Sequence, residues 1–175
     1  MSVSITPTQA ASRYSRQQIA LHWAIALLFA FNYFVSDGMG RALRNFTQTG
    51  TNDSLTAKLH IIGGITVLVL MVLRVILRLR SGAPTPVKSG PAFLEPAAKW
   101  GHRAIYFVLF LLPIAGLVAW FGGVKPAAEV HEVFVKVAVV LILGHIAAAL
   151  YHQFVLKDNL MARMHPGKGE SCGCT

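Results

Sequence analysis

The chain has 175 residues, of which 54% are hydrophobic and 13% charged, and it carries a formal net charge of +9. Water-soluble domains carry about 25% charged residues, so this composition excludes an ordinary soluble fold. The basic residues lie around the apolar runs rather than in one patch. That distribution argues against nucleic acid as a partner.

Residues 1–13 are largely polar and read as a flexible cytoplasmic arm. No small-residue cleavage site accompanies the first apolar run, so a cleavable signal peptide is not expected. Continuous apolar runs follow at about 18–36, 59–79, 104–121 and 133–156. Each approaches the ~20 residues a helix needs to cross ~30 Å of hydrocarbon. Because the runs are continuous rather than alternating, a β-barrel is disfavoured. The expected fold is all-α, a transmembrane four-helix bundle over 14–166, with a flexible cytoplasmic tail at 167–175.

The segment joining the first two runs, about 37–57, is polar and reads as a loop. The middle link, RSGAPTPVKSGPAFLEPAAKW, is broken by prolines and glycines. It reads as a loop ending in a short amphipathic segment near Phe93 and Leu94. GGVKPAAEV reads as a short loop between runs three and four. Pro113 falls within the third run, and Gly63, Gly64, Gly116 and Gly144 are small enough to let helices approach closely or to make room for a flat ligand.

Arg13, Arg16, Arg74, Arg78, Arg80, Lys88, Lys99, Arg103, Lys157, Arg163 and Lys168 fall on one side of the spans. Arg41, Arg44, Lys58, Lys125 and Lys136 fall on the other. By the positive-inside rule both termini and the middle link are cytoplasmic. Cys172 and Cys174 form a C-x-C in that cytoplasmic tail, where two ligands make a poor metal site.

The histidines carry the chemistry. Seven occur, and only His165 lies clear of the spans. Ionisable residues in a span are costly and mark function by default. The topology puts His22 and His102 on the cytoplasmic side and His60 and His131 on the opposite side. His145 follows His131 by 145 − 131 = 14 residues, about 21 Å along a helix and nearly four turns, hence on one face. Two tiers result, His22 with His145 and His60 with His131. Facing imidazoles suit two-histidine ligation of haem iron. The spans hold no cysteine and few carboxylates for zinc or a proton relay, and no C-x-x-C-H for covalent haem. Two b haems are the leading reading; a pH-sensing or transporting bundle without haem and purely structural histidines stay open. Arg74, fourteen residues after His60, either pairs with an inner-haem propionate or snorkels to the surface. His102 and His152 could hydrogen-bond a quinone head group and supply protons.

YSRQQIALHW at 14–23, LHIIGGITVLVLMVLRVILRL at 59–79, HRAIYFVLFLLPIAGLV at 102–118 and GHIAAALYHQFVLKDNLMARMHP at 144–166 together resemble the bacterial cytochrome b561 family. The resemblance implies an inner-membrane four-helix protein with two b haems, the inner on His22 and His145 and the outer on His60 and His131. It places His102 and His152 at positions linked to the quinone site. It further implies electron transfer between a periplasmic donor, favoured to be superoxide, and ubiquinone. An electron-transfer partner or membrane anchor for a separate periplasmic redox protein is the alternative. The loop GGVKPAAEV is shorter than in those family members, and it sets Glu129 and Glu132 beside His131.

Overall fold

A computed structural model describes residues 13–84 and 89–164. Residues 1–12 of the expected arm, the expected tail with Cys172 and Cys174, and His165 lie outside them. The described residues are helical, with no strand among them.

Helix α1 spans Arg16–Phe34. Its start is fixed by a reciprocal cap: Gln18 N donates to Ser15 Oγ and Ser15 N to Gln18 Oε1, both at 3.2 Å. Together these satisfy two of the amides that a helix start leaves without partners. The chain then turns at Gly38, whose φ of 78° suits glycine, into α2, Met39–Thr49, bent by 75° from α1. Ser54 caps α3, Leu55–Ser81. Helix α4 is Leu94–Gly122 and α5 is Lys125–Tyr151. A π turn at His152–Leu156 and a 3-10 turn at Leu160–Met164 complete the described chain.

Three helical stretches, Leu55–Ser81, Leu94–Gly122 and Lys125–Leu156, are each long and apolar enough to cross a membrane. The first expected span meets that standard only when α1 and α2 are taken as one bent pair. The reason is compositional: α1 spends positions on Arg16, Gln17, Gln18, His22 and Asn32. The structure also departs from the expected loops. The segment 37–57 contains α2, and most of GGVKPAAEV is the start of α5, leaving only Gly123 and Val124 as the turn. Pro126 there stands in the first turn, where its missing N–H costs nothing. The segment near Phe93 and Leu94 runs without a break into α4.

The helices alternate in direction, and side-chain bonds tie the ends together. Gln18 Nε2 donates to Gly82 O at 3.0 Å, joining the start of α1 to the end of α3. Trp23 Nε1 donates to Met164 O at 3.1 Å, holding the final turn against α1. At the opposite end the Phe46 ring of α2 stacks on Trp120 of α4, with ring centres 5.0 Å apart. The core is Ile25 of α1, Val67 and Met71 of α3, and Leu109 of α4. Large apolar side chains cover the outside, with Phe34 and Leu79 each 80% exposed. Lipid tails satisfy such a surface, so helix association rests on packing and hydrogen bonds rather than on expelling water.

Candidate functional site

Helices α1 and α3 pack closely on each other, as do α4 and α5, and α3 joins the two pairs through α4. Helix α5 makes its extensive backbone contact with α4, and it meets α1 and α3 through histidine pairs. Ring centres of His22 and His145 are 6.3 Å apart with planes at 72°; those of His60 and His131 are 6.1 Å apart at 74°. His131 and His145 stand fourteen residues apart on uninterrupted α-helix, about 21 Å. Each expected tier thus brings two rings face to edge across the bundle.

The His60–His131 rings are oriented by backbone carbonyls. His60 Nδ1 lies 3.1 Å from Asn32 O, and His131 Nδ1 lies 2.8 Å from Leu112 O. As donors, these Nδ1–H groups leave each Nε2 free for a metal, the arrangement in which the second hydrogen bond fixes the tautomer and raises ligand basicity. Two glycines permit it. A Cβ at Gly116 would stand 3.0 Å from His131 Nδ1 and 3.1 Å from its Cε1. A Cβ on Gly63 would overlap the Asn32 side-chain amide. Asn32 is a buried polar residue in an apolar helix, but it meets His60 through its backbone carbonyl, so its side chain gives no sequence signal for this contact.

Arg74 reaches across three helices. Its Nε donates to Tyr106 Oη at 2.7 Å and its Nη1 to Gln18 O at 2.9 Å. A guanidinium has five N–H groups, so three remain for another acceptor. The side chain is therefore held between helices rather than extended along the surface. His102 sits beside the His22–His145 pair, its ring centre 4.9 Å from that of His145 and its Nδ1 2.6 Å from Ala98 O.

His152 is differently placed. It lines a cavity of about 420 Å³ with Phe93, Leu94, Ala147, Ala148 and Tyr151, within the size range of small-molecule sites. His102 is not among the lining residues. The Nδ1 of His152 lies 2.6 Å from Asp158 Oδ2. Asp158 also accepts from Ser89 Oγ and, at 3.1 Å, from the Leu160 amide. Burial alone would raise the Asp158 carboxyl, but the hydrogen bonds from His152, Ser89 and Leu160 hold it below its ordinary value.

Among the described residues no three of His, Cys, Asp and Glu converge on a point that could hold a metal ion. His60 and His131 face each other as a pair, and His22 and His145 do so with His102 beside them, which suits a metal whose other ligands come from a macrocycle. The profile of the prokaryotic cytochrome b561 family matches residues 13–167. The chain belongs to that family. A cytochrome b562 of Cereibacter sphaeroides is 37% identical over 86% of this chain and 94% of its own length. Cytochrome b561 homolog 1 of Escherichia coli is 32% identical over 89% of this chain and 98% of its own. A probable superoxide oxidase, CybB, of Yersinia pestis is 30% identical over 89% of this chain and 97% of its own.

A cytochrome b561 is a membrane-embedded electron-transport protein that carries haem b. The residues present fit such a group. His22 with His145 and His60 with His131 would hold the irons, since their ring centres, 6.3 and 6.1 Å apart, leave room for one metal ion between each pair of rings. With their Nδ1 groups held by Asn32 O and Leu112 O, His60 and His131 would offer Nε2 to such a group in a fixed orientation.

Proposed function

We propose that this cytochrome b561 holds two b haems and carries single electrons across the bacterial inner membrane, from a periplasmic donor to the ubiquinone pool, with both termini cytoplasmic. The observation that supports it most is the two ring pairs, 6.3 and 6.1 Å apart, whose members on α5 are fourteen residues apart. His22 and His145 hold the inner group, and His60 and His131 the outer one. When bound, the haem irons supply one-electron exchange at two depths. The remaining work is done by the chain. Asn32 O and Leu112 O fix the outer rings, and the apolar helices exclude water. Arg74 offers its three remaining N–H groups to an inner propionate as a charge-assisted contact. The ubiquinone head group occupies the cavity edged by His152.

Superoxide is the favoured donor, in line with the printed name of the Yersinia pestis relative. Exposed Arg41 and Arg44 of α2 and Lys58 of α3 attract an anion to that end, where exposed Glu129 and Glu132 oppose it. Those carboxylates favour a second reading, in which the same end docks a separate periplasmic redox protein and has no superoxide activity of its own.

The test is a pair of visible spectra, oxidised and reduced, on purified protein with a haem-to-protein ratio. Two low-spin b haems per chain are expected. One haem or none refutes the pairing. Reduction by superoxide, slowing as salt is raised, then separates the two donors. A protein reduced only by a partner protein fits the second reading.

A further inference from the structure

In a straight α-helix, Asp158 would lie about 9 Å further along the axis than His152, on another face. It does not, because the chain leaves α5 through the π turn His152–Leu156. The Asp158 amide then donates back to His152 O at 3.3 Å. Lys157 and Asn159 on either side adopt φ of 53° and 55°. Left-handed backbone is uncommon for residues other than glycine and is retained where surrounding structure demands it. π turns, too, concentrate at functional sites. The product of this local rearrangement is one contact, the Asp158 carboxylate on His152 Nδ1. Ser89, from the link preceding α4, and the Leu160 amide complete the carboxylate's partners.

We propose that Asp158 is a positioning residue for quinone exchange: it holds His152 with Nδ1 protonated, so that Nε2 is the ring nitrogen offered to the cavity. The inference rests on the reading of that cavity as the quinone site. A carboxylate without a proton can only accept, so it commits the Nδ1–H. The Nε2 then handles one quinone oxygen. Protonated, it donates to a quinone carbonyl; unprotonated, it accepts from a quinol hydroxyl. Conversion of quinone to quinol takes two electrons and two protons. The electrons come singly from the protein's one-electron donor, and His152 passes one proton at the oxygen it faces, drawing its replacement from cytoplasmic water. Water supplies the proton for the second oxygen. The walls contributed by Phe93, Leu94, Ala147, Ala148 and Tyr151 are suited to an uncharged ring with an apolar tail.

The test uses the full haem-loaded protein in detergent, with Asp158→Asn, Ser89→Ala and His152→Ala, and a short-chain ubiquinone as probe. Ring-nitrogen NMR on histidine-labelled protein reads the His152 tautomer. In Asp158→Asn the amide oxygen takes the Leu160 N–H and turns its NH2 toward the imidazole, so the ring proton moves from Nδ1 to Nε2. Haem content stays at the parent value while kcat for quinone reduction falls about tenfold or more, with a smaller change in KM. Ser89→Ala keeps the tautomer and loses less rate. An unchanged tautomer and rate in Asp158→Asn overturns the inference, as does an equal loss of rate in Ser89→Ala with the tautomer retained. Failure of the parent protein to bind the short-chain quinone, or full binding and turnover by His152→Ala, overturns instead the reading of the cavity. If Asp158→Asn loses haem and does not fold, the parent tautomer decides: a ring protonated at Nε2 alone refutes the role.

Discussion

Gly116→Ala tests the outer histidine pair without touching a proposed ligand. The added Cβ would stand 3.0 Å from His131 Nδ1, where ordinary contact begins at 3.4 Å, so one side must yield by 3.4 − 3.0 = 0.4 Å. Helix α4 resists, because its packing against α5 is the most extensive in the molecule, so the imidazole moves. The 2.8 Å bond from His131 to Leu112 O is stretched or broken as the ring yields. Loss of such a supporting hydrogen bond typically weakens metal affinity 10- to 100-fold, which is about 1.4–2.7 kcal/mol. Stepwise haem titration of the haem-depleted protein, followed by absorbance, should show one of two equivalents weakened by that factor. The other equivalent, about 21 Å away along α5, should bind as in the parent. Gly40→Ala is the control, since its Cβ would meet only Arg44 Nη1 at 3.8 Å. Two parent-like equivalents, or two equally weakened ones, would refute the reasoning.

His131→Ala and His22→Ala should each leave one haem of two and remove different components of the reduced spectrum; identical residual spectra would contradict the tiers. Arg74→Gln should lower the midpoint potential of the haem proposed for His22 and His145, because a nearby cation favours the reduced, less positive centre, while Arg74→Lys retains most of it in a spectroscopic redox titration. Equal shifts in both haems would count against the placement. Asp158 should make the closing turn sensitive to acid. Its carboxyl is held below the unfolded value of 3.8, so its contribution is complete above that value and lost as pH falls through the lower folded one. Hydrogen exchange across 157–164 should therefore accelerate only in that acid range. Trp23→Phe should loosen the same turn by about 0.5–1.5 kcal/mol through loss of the bond to Met164 O, read by the same exchange experiment at neutral pH.

The long helices were legible because lipid demands continuous apolar runs, and α3, α4 and α5 each contain one long enough to cross a membrane. Their ends were less legible. KPAAEV looks polar enough for a loop, yet proline and alanine are good residues for a first helical turn. Helix α2, MGRALRNFTQT, is mostly polar and is held by Phe46 on Trp120, a contact between distant parts of the chain. Spacing along α5 gave the depth and face of His131 and His145. Direction around the bundle was harder. Depth grouped His102 with His152, but the structure turns His102 toward His145 and His152 toward Asp158. The carbonyls of Asn32 and Leu112 carry no side-chain signature, so their part in orienting the rings needed coordinates.

The 75° bend between α1 and α2 has a consequence for the surrounding bilayer. Nineteen residues of α1 measure about 28 Å, barely the hydrocarbon thickness, whereas the 27 to 29 residues of α3, α4 and α5 measure about 40–44 Å and must tilt or protrude. If α1 alone crosses the hydrocarbon, the bend falls where the tails meet the headgroups. Helix α2 would then rest there as a float, since Phe46 turns toward the bundle while Arg41 and Arg44 are exposed. A thicker bilayer would draw the float outward and strain the ring stack; a thinner one would let the long helices lean. The depth of the His60–His131 pair would thus become sensitive to lipid chain length.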